Sequence, residues 1–349
     1  MGASIRDIAR QAGVSIGTVS RVINGEDSVG LKVQEKTIKA MRELNYIPHK
    51  KSRKIKKDIS KEKNWNIGVI FYGVSEALAG NDLVSYSISN ITTACRQHGY
   101  NIIYEIMSSG SMELPKCVED RKVDGVIIAI NDKDIEIAYK ISVIMPAVIL
   151  NKYWPTLQIP QVCIDEYGSC SFAISEIIKY GHRKIAFVSP CILNKNPSFL
   201  ARCRAYKDMM IAEGIYDPAY TIYADIVNDE NPYNDSPPEM GCIADKLLGL
   251  EHLPTAILVA NDWSAVGLYK ALEERGISPG KDISIVGFDD FLPKNIFLDP
   301  PLATLAVPFK EIAETAAETL IDYIEGGKMP VCAKMLPCKF IHNASLQKI

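Results

Sequence analysis

Hydroxyl, guanidinium and small apolar side chains are concentrated in one short segment near the N-terminus. Hydroxyl groups donate hydrogen bonds to phosphate oxygens, and an arginine fork donates to the acceptor atoms of a base edge. This set of side chains therefore suits contact with a nucleic acid. The candidate contact residues are Ser15, Ile16, Gly17, Thr18, Ser20, Arg21 and Asn24.

The elements that must position these side chains are two short helices joined by a turn. The apolar residues of segment 5–12 form one stripe at helical spacing, and those of segment 19–23 face back towards it. Gly13 can adopt the left-handed conformation that ends a helix, and Ser15 is a favourable N-cap for the next helix. The pattern predicts a helix-turn-helix, which presents its second helix to DNA. Small helices around a glycine turn also occur in proteins that do not bind DNA.

A third helix and a strongly basic segment follow. Residues 33–44 predict the helix, and Tyr46-Ile47-Pro48 ends it because proline disfavours helical geometry in the preceding residue. Segment 50–57 carries six Lys and Arg residues. Taken alone, such a run is a solvated linker. After a DNA-binding head, it is instead a hinge that becomes ordered when its charges meet phosphates.

The net charge of −3 conceals an uneven distribution. Residues 1–63 hold 15 Lys and Arg against 7 Asp and Glu, a balance of +8, and the remaining residues hold 24 against 35, a balance of −11. A basic head on an acidic body is typical of a nucleic-acid-binding module joined to a second domain.

The nine cysteines form no CxxC pair and are odd in number, which favours free thiols over a disulfide framework or a zinc site. The polar N-terminus predicts no signal peptide, and no apolar run reaches the length of a membrane span. These features predict a cytoplasmic protein.

From Trp65 onward, short apolar runs alternate with amphipathic segments. Such runs are typical of parallel strands covered on both faces, and the alternation predicts an α/β fold with right-handed crossovers. The number of strands indicates two doubly wound parallel sheets rather than one. Predicted strands cover residues 67–71, 101–105, 125–130, 147–150, 162–164, 184–189, 256–260 and 283–287, and predicted helices cover 85–98, 168–180, 202–213, 263–275 and 310–325.

Polar side chains follow several of these strands, where open α/β sheets bind ligands. Asn151, Asn261 and Asp289 follow predicted strands, and Arg202 begins a helix after another strand. Amide, carboxylate and guanidinium groups together suit the recognition of densely placed hydroxyl groups, as in a sugar.

These side chains also have purely structural interpretations. Asp165 and Asp262 directly follow strands, and such residues are typical N-caps of the next helix. Asp289 is the better ligand residue because Asp290, beside it, can take the structural role. Arg202 could instead pair with a surface carboxylate.

The sequence contains no catalytic constellation. The five histidines are dispersed, and there is no GxSxG elbow, P-loop or HExxH motif. The absence of these motifs disfavours an enzyme. Turnover of a sugar or nucleoside by the purified protein would restore the enzyme hypothesis. The basic head and the polar N-terminus disfavour a secreted solute-binding protein.

Several motifs occur together in a fixed order. The N-terminal residues Ala9, Ala12 to Ser15 and Thr18 to Gly25 resemble the signature of the LacI/GalR family of bacterial transcription regulators. Later segments of the chain resemble landmarks of the same family in the right order. They are Gly181 to Ala186, Pro254 to Ile257, Ala260 to Asp262, Gly287 to Asp290 and Pro300 to Leu302.

The resemblance implies a three-part organisation. A helix-turn-helix head would occupy residues 1–48 and a basic hinge or linker residues 49–64. A periplasmic-binding-protein-like effector core would occupy residues 65–349. Within that core, subdomain one would take about 65–164 and 293–325, and subdomain two about 165–292 and 326–349.

The resemblance also implies how the hinge meets DNA. In the family, the hinge helices of two subunits enter the minor groove together, and an apolar side chain wedges a base step. Ile55 falls at that position, whereas His49 and Ser52 replace the usual Asn and Ala. The hinge residues implied to contact DNA are Tyr46, Ser52, Arg53 and Ile55.

The same resemblance implies an effector cleft in the core. The family positions that line it match Asn151, Ser198, Arg202, Asn261 and Asp289. Aromatic neighbours that could cover a ring are Tyr72, Tyr153, Phe199 and Trp263. The chain departs from the family in a longer loop at 72–81 and an acidic, proline-rich insertion at 225–238, in which Tyr233 is a candidate aromatic.

Together these observations predict a homodimeric transcription regulator, a repressor, that binds a pseudo-palindromic operator. A small effector, a sugar or sugar derivative, would control it, with no cofactor, no metal and no membrane partner. One alternative is a nucleobase or another metabolite that acts as a corepressor. The other is a sugar-binding protein that does not bind DNA.

Overall fold

The computed structural model describes residues 4–23, 29–44, 46, 63–73, 82–130, 134–190, 197–223, 237–291, 297–330 and 333–349. The chain forms two units, each built from two separate segments. Unit 1 comprises Met1–Cys163 and Phe309–Leu336, and unit 2 comprises Ile164–Pro308 and Pro337–Ile349.

The elements are numbered in chain order. The helices are α1 (Ile5–Ala12), α2 (Ile16–Ile23), α3 (Leu31–Glu43), α4 (Asp82–Gln97), α5 (Lys116–Glu119), α6 (Ile135–Ile144), α7 (Glu166–Lys179), α8 (Pro197–Ala212), α9 (Gly241–Leu248), α10 (Asp262–Glu273) and α11 (Phe309–Gly326). The strands are β1 (Asn66–Tyr72), β2 (Asn101–Met107), β3 (Gly125–Ala129), β4 (Ala147–Leu150), β5 (Gln161–Ile164), β6 (Ile185–Ser189), β7 (Thr221–Tyr223), β8 (Ala256–Val259), β9 (Ser284–Val286), β10 (Thr304–Ala306), β11 (Ala333–Leu336) and β12 (Lys339–Ile341).

The head of unit 1 consists of α1, α2 and α3. α1 begins with a capping box between Ser4 and Asp7, and it ends at Gly13, which has a φ of 65°. Ile8, Val19 and Met41, one from each helix, are fully buried. The apolar spacing therefore predicts the inner faces correctly. Four DNA-contact predictions, on Asn24, Ser52, Arg53 and Ile55, lie outside the described residues.

The core of unit 1 is a six-stranded sheet in the order β11-β5-β4-β3-β1-β2, in which β1 to β5 pair in parallel. β3 and β4 are almost wholly buried, as expected for central parallel strands. α4 and α11 pack against each other, and α11 also packs on β3 and β4.

Unit 2 has a parallel sheet in the order β7-β6-β8-β9 and a separate antiparallel pair, β10 and β12. The pairing of β10 with β12 moves the boundaries between the two subdomains from their predicted positions. The chain returns to unit 1 at Phe309 and to unit 2 at Pro337, rather than near residues 293 and 326. The reason is that β10 pairs with β12, which keeps the residues before Phe309 and the C-terminal segment in unit 2.

All eight predicted strands are present, with ends within two residues of those predicted, and the α/β fold class is confirmed. The sequence analysis missed β7, β10, β11 and β12, which have only three or four residues and so show little periodicity. It also missed α5, α6 and α9. α6 is apolar on most of its surface and packs in the interior of unit 1, so its polar face is weak.

No helix within these described ranges is long and apolar enough to cross a membrane. The described cysteines at positions 95, 117, 163, 170, 203, 242 and 338 are free thiols.

The close contact of β1 with β3 predicts the effect of one substitution. A Cβ atom on Gly68 would lie 2.8 Å from Val126 Cγ1, so Gly68→Ala should lower the free energy of unfolding by about 1–3 kcal/mol through overpacking. Gly326→Ala, at the end of α11, meets nothing within 4 Å and serves as the control. Urea denaturation measures both, and equal stabilities would contradict the packing of β1 on β3.

Candidate functional site

The outer face of α2 carries the predicted DNA-contact residues. Ser15 Oγ accepts a hydrogen bond from the Thr18 N–H at 3.0 Å and lies 2.9 Å from Thr18 Oγ1, so Ser15 caps the helix as predicted. Ile16 is 51% exposed, whereas Val19 and Val22 are buried on the opposite face. An exposed apolar side chain at a helix N-terminus, among hydroxyl groups, suits insertion into a groove.

Arg21 and Gly17 share this exposed face, together with Ser20. A Cβ atom on Gly17 would lie 3.6 Å from Ser15 Oγ and 3.8 Å from Arg21 Nη2, so the glycine lies between the capping hydroxyl and the guanidinium. Within two helical turns, the face thus presents hydroxyl groups, one guanidinium and the exposed backbone of Gly17.

Tyr46 differs from the hinge residue that the sequence analysis expected. Its side chain is 9% exposed, and its carbonyl oxygen accepts a hydrogen bond from the Tyr139 hydroxyl on α6. Burial raises the pKa of both hydroxyls. In this arrangement Tyr46 anchors the end of the head to the core of unit 1 and does not face outwards.

The second site lies in unit 2, around the buried guanidinium of Arg202 on α8. Arg202 Nε donates to Glu166 Oε2 at 2.6 Å, Nη1 donates to the Ala260 carbonyl, and Nη2 lies 3.5 Å from Asp289 Oδ1. The guanidinium carbon is 3.4 Å from the centroid of the Phe288 ring. These five groups are called the Arg202 subsite below. Its charged side chains are 5–17% exposed, so water screens them weakly.

The backbone that presents Asp289 is strained. Asp289 has a φ of 122° and Asp290 a φ of 53°. The Asp289 N–H donates to the Leu305 carbonyl at 2.8 Å, and the Val307 N–H donates to the Asp289 carbonyl at 3.1 Å. Such conformations are held only where the surrounding structure fixes them, and they occur preferentially at functional sites.

Asp262, the first residue of α10, holds this loop through a hydrogen bond to its carboxylate. Its carboxylate accepts hydrogen bonds from the Thr304 hydroxyl at 2.7 Å and from the Asp290 N–H at 2.8 Å. A Cβ atom on Gly287 would lie 2.0 Å from Asp262 Oδ1, so only glycine permits this approach. Complete burial, and then the nearby charge of Asp289, raise the pKa of Asp262 to about 7.

Asn261 and Asp262, at the start of α10, make structural contacts other than those that the sequence suggested. Asn261 was expected to line the ligand site, but its Oδ1 accepts the Ser264 N–H at 2.8 Å and caps α10. Asp262 was expected to be the cap, but it holds the Asp290 loop instead. Asp165 does cap α7, through the Gly168 N–H at 2.8 Å.

The other predicted ligand residues are placed as follows. In unit 1, Asn151 has a φ of 58°, and its buried Oδ1 has no hydrogen-bond partner among the described residues. In unit 2, Phe199 has its ring centroid 5.7 Å from the Arg202 guanidinium carbon. Trp263 is 5% exposed, and its Nε1 has no partner within the described ranges. Ser198 is half-buried on α8.

Two aromatic predictions fall in unit 1. Tyr72 is buried in the sheet, where its hydroxyl lies 3.4 Å from the Glu113 carbonyl and burial raises its pKa. It belongs to the core. Tyr153 is 41% exposed. The candidate Tyr233 lies outside the described residues.

Sequence reasoning missed Glu166 and Phe288. Glu166 directly follows Asp165 after β5, and this acidic pair follows a parallel strand, as Asp289 and Asp290 do. That signal could have identified Glu166. Phe288 has no comparable signal because a phenylalanine between a buried strand and a loop is usually part of the core.

Family comparisons agree with this two-part organisation. Residues 4–49 match the model of bacterial regulatory proteins of the lacI family, and residues 174–346 match the periplasmic binding protein-like domain. The ribose operon repressor of Haemophilus influenzae is 26% identical over 327 residues, which are 93% of this chain and 92% of that protein. The transcriptional repressor CytR of Escherichia coli is 26% identical over 358 residues, covering 99% and 97%.

The fold has a close counterpart among solved structures. The lac repressor dimer bound to operator and the anti-inducer ONPF matches with a TM-score of 0.63 and 24% identity, over 99% of this chain and 100% of that one. The helix-turn-helix head and the α/β core define a DNA-binding transcription regulator. The chain thus carries a DNA-binding domain of the lacI family joined to a periplasmic-binding-protein-like domain.

The raised pKa of Asp262 predicts a pH-dependent stability. A folded-state pKa above the unfolded value contributes stability that is present at low pH and is lost as the pH rises through about 7. Each unit by which the pKa is raised corresponds to about 1.4 kcal/mol. Asp262→Asn removes this titration while retaining an acceptor for the Asp290 N–H.

The unfolding free energy of Asp262→Asn relative to the native chain should therefore increase from pH 5 to pH 8, as measured by urea denaturation. Asp245→Asn is the control, because Arg275 lowers the pKa of that exposed carboxylate and its titration ends below this range. A flat difference for Asp262→Asn would show that Asp262 is ionised throughout.

Proposed function

We propose that this regulator is a cytoplasmic repressor whose operator binding is controlled by a small polyhydroxyl effector, a sugar or sugar derivative, held at the Arg202 subsite. The observation that carries the proposal is a buried guanidinium beside two carboxylates, next to a strained loop after a parallel strand. Strained backbone of this kind occurs preferentially at functional sites.

The chemistry of the subsite supports a hydroxyl-rich ligand. Carboxylates accept hydrogen bonds from sugar hydroxyl groups, and a guanidinium donates to them in a fixed plane. The ring of Phe288 and that of Phe199 add apolar surface beside the charged groups. A relative named for the ribose operon is consistent with such a ligand.

A nucleobase that acts as a corepressor is the second candidate, and Trp263 is the observation that favours it. Its indole Nε1 is buried and finds no hydrogen-bond partner in the part of the chain that the structure describes. An indole ring can stack on a base, and its N–H can donate to a ring nitrogen or a carbonyl group. Asn151, whose Oδ1 lacks a partner in the described structure, stays a predicted ligand residue for either class.

We further propose a homodimer, formed through α4 and the neighbouring edge strand β2 of unit 1. Tyr86 on α4 is 42% exposed and Tyr104 on β2 is 58% exposed, which gives this face two large exposed aromatic side chains. A two-fold dimer matches a pseudo-palindromic operator with two half-sites.

The start of the core provides a firm attachment for the basic hinge. Lys63 Nζ forms an ion pair with Glu325 on α11 at 2.9 Å and lies 4.7 Å from the centroid of the Trp65 ring. The Asp124 carboxylate accepts the N–H groups of Asn64 and Trp65 at 3.0 and 2.8 Å. A change in the position of α11 would therefore move the end of the hinge, so effector and DNA affinities would be linked reciprocally.

Arg21 tests the DNA-binding half of the proposal. Arg21→Ala should weaken binding by about 1–3 kcal/mol on an operator selected from a random library, and much less on unselected DNA, because base contacts carry the specificity. Fluorescence anisotropy at one fixed salt concentration measures both. Lys270→Ala, on an exposed part of α10, is the control. Equal losses on both DNAs would make Arg21 a phosphate contact.

A substitution at Asp289 tests whether the effector binds at the Arg202 subsite. Asp289→Asn keeps the shape of a side chain that tolerates positive φ, but it removes the charge that accepts ligand hydroxyl groups. Effector affinity should fall by about 1–3 kcal/mol, while operator binding without effector persists. Calorimetry with a ligand found by thermal-shift screening measures the first, and anisotropy the second.

The exposed Asp322→Asn on α11 controls for a general loss of negative charge. Loss of effector-free operator binding in Asp289→Asn would identify Asp289 as a structural residue. Unchanged effector affinity would place the ligand elsewhere.

A further inference from the structure

The single positive charge of Arg202 lies beside two carboxylates. Glu166 Oε2 lies 2.6 Å from Arg202 Nε, and Asp289 Oδ1 lies 3.5 Å from Nη2. Among the described residues of the subsite, one guanidinium therefore faces two carboxylates. We propose that Glu166 makes the Arg202 subsite select uncharged, hydroxyl-bearing effectors over their phosphorylated forms. The inference rests on the proposed function, because it concerns the charge of the effector bound there.

Two nitrogen atoms of the guanidinium, Nε and Nη1, are already directed at protein acceptors. Nε faces Glu166, Nη1 faces the Ala260 carbonyl, and Phe288 covers one face of the plane. A phosphate or carboxylate that bound here would have to displace one of these partners or approach their negative charge. A neutral hydroxyl group can instead donate to a carboxylate, and it adds no charge.

Burial strengthens the repulsion between the carboxylates of the subsite and an anionic ligand. The Glu166 side chain is 17% exposed, and those of Arg202 and Asp289 are 5% and 6% exposed. Charges in such surroundings interact at a low effective dielectric constant, and salt screens them little. A second carboxylate on the same guanidinium should therefore disfavour an anion by at least about tenfold.

Glu166 also orients Arg202, so the test must separate its charge from its hydrogen bond. Glu166→Gln retains an oxygen that can accept from Arg202 Nε, but it removes the negative charge. A purely structural role would change the affinities for neutral and anionic ligands by the same factor. A role in charge selection changes their ratio.

The experiment measures binding of matched pairs by calorimetry after thermal-shift screening: ribose and ribose 5-phosphate, glucose and glucose 6-phosphate, and cytidine and its 5′-monophosphate. In the native chain, the neutral member of the binding pair should bind at least about tenfold more tightly. In Glu166→Gln, the ratio should shift towards the phosphorylated member by about tenfold.

Glu176→Gln is the matched control on the same helix. It is ten residues away, about 15 Å along α7, where its carboxylate pairs with Lys179. This variant should leave the ratio unchanged.

Two outcomes would overturn the inference and leave the proposed function standing. One is a native preference for the phosphorylated member. The other is an equal loss of both affinities in Glu166→Gln, which would make Glu166 only a positioning residue. Failure of every probe to bind would instead overturn the proposed effector class, and the inference with it.

Discussion

The burial of the Arg202 guanidinium is the constraint on which much of unit 2 depends. A buried charge without partners would cost several kcal/mol, so the fold must bring acceptors to it. Glu166 comes from the start of α7, the Ala260 carbonyl from the end of β8 and Asp289 from the loop after β9. Their convergence requires α7, α8 and the parallel sheet to keep their register. The strained loop is held in turn by the buried carboxylate of Asp262.

In the described part of unit 1, contacts hold the chain on both sides of the basic segment 50–57. The Tyr139 hydroxyl binds the carbonyl of Tyr46 at the end of the head, and the Lys63–Glu325 ion pair fixes the first residues of the core. The basic segment between these points is thus joined to described structure at both ends. An exposed ion pair contributes little stability, and this one matters for the geometry that it gives the chain before β1.

The sequence predicted what depends on local patterns. Apolar runs located the longer strands, and the glycine turn and the serine cap located α2. Arg202 and Asp289 were predicted as ligand residues because polar residues follow strands in this fold class, and they stay predictions. The roles of Asn261 and Asp262 could not be separated, because adjacent residues at a helix start differ only in where the backbone directs them. Glu166 was missed because its role depends on the meeting of α7 with α8, which are distant in sequence. The antiparallel pair that moved the subdomain boundary is likewise a long-range pairing of very short strands.

The division of unit 1 into two segments has a consequence for its synthesis. On the ribosome, residues up to Cys163 emerge first, but α11 and β11 follow only after the whole of residues 164–308. At bacterial elongation rates this delay is on the order of ten seconds. Throughout that time the edge of β5 lacks β11, and β3 and β4 lack the helix that packs on them. A nascent chain with an open strand edge and an uncovered apolar sheet is prone to pair with its neighbours on a polysome. The synthesis of the second unit is therefore the period in which unit 1 is open to such pairing.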